Sequence, residues 1–182
     1  VEARKIENEQ SRVKLFGRID RVDAYDSSDG KLYLRVVDYK KNAKKFDLEK
    51  ISAGLDMQML LYLFSLWENG EKYFGKEIVP AGVIYVETNP KAEAVSADGE
   101  GDGKFAVSGV VTEMGDDGLD LARAMEPELK GVYSPIKGSS AGKAKNIIGL
   151  DALRVLKQNV VQTVLGCAAE LKKGLAYAAP TD

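Results

Sequence analysis

Two β-rich runs separated by a turn cluster constrain this chain most. Residues 13–23 carry Val13, Leu15, Phe16, Ile19 and Val22, and residues 31–39 carry Leu32, Tyr33, Leu34, Val36 and Val37. Between them stands Ser27-Ser28-Asp29-Gly30. Such runs around a turn cluster predict an antiparallel hairpin. Residues 40–50 are polar and basic and read as a loop. Residues 52–69 then place Leu55, Met59, Tyr62, Leu63 and Leu66 at helical spacing, with Gly70 as the stop. Residues 81–87 predict a buried strand.

Further along, residues 91–104 read as a loop and 105–111 as one more strand. Residues 119–125 predict a short helix, and the Gly/Ser/Lys-rich stretch 137–145 a mobile one. Residues 150–173 predict a long amphipathic helix with Leu153, Leu156, Val160, Val164, Cys167 and Leu171 on one stripe. Strand, strand, helix, strand and a terminal helix make an α/β or α+β sandwich.

The second hairpin strand ends Val37-Asp38-Tyr39-Lys40. Alternate strand residues share a face, so Asp38 and Lys40 point together and Tyr39 points away. Across the hairpin, Asp20 is expected to face Asp38. Two converging carboxylates repel unless a cation lies between them. Mg²⁺ (or Mn²⁺) suits this place, because it takes oxygen ligands and works with one or two carboxylates plus substrate phosphate. It polarises phosphoryl oxygens and activates water. Lys40 takes an electrostatic role beside the developing negative charge. Gln58 and Tyr62, four residues apart, share a helical face and are placed to bond substrate phosphates or to orient the site.

Composition narrows the chemistry. The chain of 182 residues has no histidine and one cysteine, Cys167. Within it there is therefore no Ser-His-Asp triad, Cys-His pair, His-ligated zinc or disulfide. Its hydrophobic fraction of 45% and charged fraction of 30% are ordinary for a globular protein. No apolar run is long enough for a membrane span, and a reducing cytoplasm is the expected location. The net charge of −2 argues against a broadly basic DNA binder, though local positive patches remain compatible with it. The chain starts at Val1 without an initiator Met and is read as a single domain, 1–182, from a longer protein.

Gly17-Arg18-Ile19-Asp20-Arg21-Val22-Asp23, Asp38-Tyr39-Lys40 and Gln58-x-x-x-Tyr62, in that order, resemble the motif series of RecB-like PD-(D/E)xK nucleases, most closely the AddB-type branch. Pro80-Ala81-Gly82-Val83-Ile84-Tyr85 and the terminal helix add to the likeness. The resemblance implies a restriction-endonuclease-like α/β core, a mixed sheet flanked by helices. It implies Asp20, Asp38 and the Tyr39 backbone carbonyl as metal ligands, with Asp20, Asp38 and Lys40 catalytic and Gln58 and Tyr62 contacting DNA. It further implies Mg²⁺-dependent exonuclease action on single-stranded DNA in double-strand-break repair, with an AddA-like helicase partner. RecB-like sites add a His or Glu from an upstream helix, and AddB-type domains carry a four-cysteine iron–sulfur cluster. Neither is present here, so both are expected elsewhere in the longer protein. A CRISPR-associated or phage exonuclease, and a non-catalytic DNA-binding or scaffold domain of the same fold, stay open as alternatives.

Plainer roles compete at each position. Asp38 and Lys40 could form a simple strand-end ion pair, and Gln58 could cap a buried backbone group. Lys40, Lys41, Lys44 and Lys45 could line a path for DNA or form a solvated loop. Arg21 with Asp23 is read as a structural or surface pair, and Cys167 as core packing. Gly138 to Lys143 resembles a phosphate-binding loop but lacks its spacing and its Ser/Thr. Asp98 to Gly103 resembles a calcium loop, yet Gly109 stands where the bidentate Glu belongs.

Overall fold

The computed structural model describes residues 4–8, 12–42, 44–89, 106–138 and 146–175. The predicted hairpin is present as β3 (Arg21–Asp26) and β4 (Leu32–Lys40), antiparallel, with Arg21 opposite Val37. Gly30 closes its turn by donating to the Ser27 carbonyl at 3.0 Å. The expected single strand over 13–23 is in fact two. β2 (Arg12–Leu15) pairs instead with β1 (Arg4–Glu7) in a separate two-stranded sheet. The connector between β2 and β3 crosses the ring of Tyr62 at Gly17, where an added Cβ would lie 2.5 Å from Tyr62 Cε1. Local β propensity cannot carry a strand through that crossing.

The main sheet has five strands in the order β3-β4-β5-β6-β7. Its remaining members are β5 (Ile78–Glu87), β6 (Val107–Thr112) and β7 (Ile147–Ile148). β4/β5 and β6/β7 are parallel, the others antiparallel, so the sheet is mixed as expected. β4 is an inner strand covered on both faces, and residues 32–38 are buried without a break, the pattern of a two-sided strand. The register of β4 on β5 slips after Leu34, which pairs with Pro80 while Arg35 pairs with Gly82. This bulge accommodates a proline in an interior strand.

The loop expected over 40–50 and the helix expected over 52–69 are revised. α1 (Leu48–Ser52) starts inside the former, capped by Asp47, whose carboxylate accepts from the Glu49 and Lys50 N–H groups. α2 (Gln58–Asn69) begins only after a break. Gly54 (φ 82°) and Asp56 (φ 54°) stand left-handed there, and Leu55 is exposed rather than on a core stripe. Gly70 caps α2 where the sequence puts the stop, its N–H donating to the Leu66 carbonyl at 2.7 Å. It is right-handed, and α3 (Glu71–Phe74) follows directly, ending at left-handed Gly75.

One face of the sheet packs Leu34, Val36 and Val83 on Leu60, Leu63 and Phe64 of α2 and on Leu153 and Val160 of α5 (Leu150–Lys172). Each such fully buried side chain contributes about 2 kcal/mol. The other face packs Tyr33, Val37 and Ile84 on Leu121 and Ala122 of α4 (Asp120–Met125), with Leu129 and Ile136. The terminal helix is where the sequence puts it, but its stripe is shorter. Leu153, Val160 and Leu165 are buried, whereas Leu171 is exposed. Cys167 is also exposed, which corrects its assignment to the core: at this turn Leu165 is buried and Ala168 and Ala169 are half-buried, so Cys167 lies on the outer face. The predicted loop at 91–104, and residues 139–145 of the stretch expected to be mobile, lie outside the described residues. Among the described residues no helix is long and apolar enough to cross a membrane.

Candidate active site

Asp38 stands at the end of β4, 6% exposed, on the face covered by α2. Lys40, two residues on, shares that face, and its Nζ lies 2.6 Å from Asp38 Oδ2. The contact is ionic but not aligned as a hydrogen bond, and Oδ2 is buried with no hydrogen-bond partner. The ammonium therefore compensates the charge of this oxygen without satisfying its hydrogen-bonding geometry.

Asp20 lies on the turn into β3, one step beyond the pair Arg21–Val37, so the register carries it to the place opposite Asp38. Its Oδ2 accepts a long bond, 3.4 Å, from the Tyr39 N–H. Asp20 is solvent-exposed, Asp38 is not. The structure thus brings together Asp20, Asp38, the Tyr39 backbone and Lys40.

The Tyr39 side chain points to the opposite face, as strand parity requires. Its hydroxyl accepts from Arg21 Nη1 at 3.2 Å. Arg21 also donates to Asp23, which accepts from Arg35 at 2.8 Å, and Arg35 donates to the Tyr133 carbonyl at 2.9 Å. Burial pushes the Asp23 carboxyl up, but hydrogen bonds from both arginines outweigh it and hold the group below its usual range. The Arg21 guanidinium is held further toward its charged form by hydrogen bonds to Asp23 and Tyr39. Arg21 and Asp23 are therefore structural, within a brace tying β3 to the back of β4.

Three residues join the site that sequence reasoning did not place there. Tyr85 is the β5 neighbour of Asp38. Burial, with the charges of Asp56 and Asp38, pushes its phenol up to about 12. Lys44 Nζ sits 5.2 Å from the Tyr85 ring centroid and 2.8 Å from Asp56 Oδ1. The hydrogen bond from Lys44 holds the Asp56 carboxyl low, and Lys50 and Lys40 add to this. Lys44 was visible only as one of a lysine cluster. Asp56 left a fainter signal, a residue type tolerant of left-handed backbone just ahead of Gln58.

Gln58 and Tyr62 do share a face, and Gln58 Nε2 donates to the Tyr62 hydroxyl at 3.1 Å. Both line a cleft of about 510 Å³ between α2 and the β2–β3 connector, and Asp56 lies on its wall. No hydrogen bond links them directly to Asp20, Asp38 or Lys40 among the described residues.

The donor set suits a hard cation: two carboxylates, one of them buried with an oxygen that makes no hydrogen bond, beside the Tyr39 backbone. Among the described residues no group of three or more His, Cys, Asp or Glu gathers to hold a metal. An ion here would therefore keep open positions for water and phosphate.

The order of acid, acid–lysine pair and glutamine helix around the end of an inner strand defines a nuclease class. The chain belongs to the PD-(D/E)XK nuclease superfamily, whose family model matches residues 1–180. It is similar to the B component of the ATP-dependent helicase/deoxyribonuclease of Acetivibrio thermocellus, 31% identical over 173 residues, covering 90% of this chain and 15% of that protein. The protein of the same name from Symbiobacterium thermophilum is 32% identical over 183 residues, covering 93% of this chain and 15% of its own length. That from Ruminiclostridium cellulolyticum is 46% identical over 74 residues, or 41% of this chain and 6% of its own length. The chain thus spans about 15% of the relatives it matches along most of its length.

Proposed function

We propose that this chain is the nuclease part of an AddB-type protein. It hydrolyses phosphodiester bonds of single-stranded DNA as a Mg²⁺- or Mn²⁺-dependent exonuclease, alongside an AddA-like helicase partner, in cytoplasmic double-strand-break repair. The observation that carries the reading is the buried Asp38 carboxylate, its Oδ2 without a hydrogen bond and ion-paired to Lys40, across from Asp20. The names of the relatives support the helicase–deoxyribonuclease setting.

Asp20, Asp38 and the Tyr39 carbonyl would hold the ion. When bound, it supplies polarisation of a phosphoryl oxygen and a lowered pKa for attacking water. Lys40 places a positive charge where negative charge develops on the phosphate, the kind of preorganised stabilisation that dominates many enzymatic rates. The Asp20 bond to the Tyr39 N–H and the Arg21 bond to the Tyr39 hydroxyl fix the end of β4 from both faces. That holds Asp38 and Lys40 in one geometry. Gln58 and Tyr62 contact the incoming strand.

Calorimetric titration of Mg²⁺ or Mn²⁺ into the full-length protein tests the ligand set: binding is expected in the wild type and absent in Asp20→Ala. Asp38→Ala is expected to abolish digestion of end-labelled single strands while the circular dichroism stays native. Normal digestion by that variant would put the chemistry elsewhere.

A further inference from the structure

The cleft between α2 and the β2–β3 connector holds none of the carboxylates proposed for the metal, but contacts between side chains link its wall to Asp38. Asp56 on its wall pairs with Lys44, whose ammonium lies over Tyr85, the strand neighbour of Asp38. Leu15, Ile19 and Leu61 make its sides apolar. The Gln58 amide and the Tyr62 hydroxyl supply its polar heads. Gln58 uses one N–H on Tyr62, which leaves its carbonyl oxygen and a second N–H for a planar polar edge.

At the rim Phe16 is 76% exposed. Lys14 Nζ lies 4.8 Å from the centre of its ring, a cation–π distance. Gly17 presses the connector onto Tyr62, with no room for a side chain between them.

We propose that this cleft receives one unstacked nucleobase of single-stranded DNA. Phe16 stacks on the base, the Gln58 amide bonds its edge, and Lys14 meets the adjoining phosphate. Apolar walls, an amide, an exposed aromatic ring and a cation at the rim together match a base attached to an anionic backbone. A base inside a duplex is stacked on both sides with its edge paired, so the cleft selects single strands. The proposal rests on the nuclease reading above and adds the origin of its strand preference.

The test compares oligothymidylate with the same backbone carrying abasic residues. Binding is read by fluorescence anisotropy on the full-length protein with Asp38→Ala to stop digestion. The base-bearing strand is expected to bind about tenfold tighter, the size of one base–aromatic stack. Phe16→Ala should bring the preference within about twofold, and Phe16→Trp should restore it. A preference untouched by Phe16→Ala, or no preference in its parent, overturns the proposal. So does a Phe16→Ala variant that only lowers the melting temperature, since the cleft would then be covered by protein. Digestion by protein with Asp38 intact is followed in parallel. Digestion without base preference removes the cleft proposal alone, and base preference without digestion removes the nuclease reading alone.

Discussion

Two buried carboxylates show how differently the same group is used. Glu126 closes α4 and is 6% exposed. It accepts from the backbone N–H groups of Gly131, Val132, Tyr133 and Ser134 at 3.0–3.3 Å. Burial pushes its carboxyl up, but those backbone donors outweigh it and hold the group below its usual value of 4.5. On Asp38, one oxygen has no hydrogen-bond donor and meets only the Lys40 ammonium. The first carboxylate is held by backbone donors, and the second is met by a single ammonium. Glu126 has a lowered folded pKa, so its stabilisation is present above about pH 4.5 and is lost as pH falls through the folded value. Glu126→Gln is expected to cost about 2 kcal/mol at neutral pH and to weaken the acid dependence of stability below pH 4.5. Urea unfolding across pH 3–7 checks both, and an unchanged acid limb would show that other groups control it.

The element that decides the site is the short connector between β2 and β3. It turns the chain out of the small sheet, crosses Tyr62 at Gly17 and delivers Asp20 opposite Asp38. Gly17→Ala would place a Cβ 2.7 Å from the Tyr62 hydroxyl and 2.5 Å from its ring. The ring and the connector must then part. The expected result is about a tenfold loss in single-strand affinity, with the main sheet intact because Gly17 lies outside it. Anisotropy alongside thermal melting separates the two effects. Wild-type affinity in this variant would mean that the cleft's shape does not matter to binding.

For the molecule as a whole, a net charge of −2 leaves no general attraction for DNA. On the proposed reading, this chain's electrostatic contribution to binding comes from the cations near the cleft and the carboxylates. Contacts from Lys14, Lys40 and Lys44 give an expected slope of about −2 for log affinity against log salt on single strands, since each neutralised phosphate contributes about 0.7. Lys44→Ala should flatten the slope by about that amount. An unchanged slope would mean that Lys44 stays with Asp56 when DNA binds.

What the sequence determined by itself was whatever depends on neighbours along the chain. Strand parity put Asp38 with Lys40 and turned Tyr39 away. The turn cluster set the hairpin register that brings Asp20 across. Four-residue spacing paired Gln58 with Tyr62, and the motif order pointed to the superfamily. Only the tertiary structure decided the rest, because those features depend on contacts between distant segments. Residues 13–23 look like one strand until Gly17 meets Tyr62. Residues 52–69 look like one helix until left-handed Gly54 and Asp56 break it. Cys167 keeps helical period with the predicted stripe but is exposed, while Ala168 and Ala169 beside it are half-buried. Lys44, Asp56 and Tyr85 carry no joint pattern in the chain; the parallel pairing of β4 with β5 and the turn before α2 bring them to Asp38. Periodicity reports which face a residue takes, whereas burial and charge pairing depend on what the fold sets against that face.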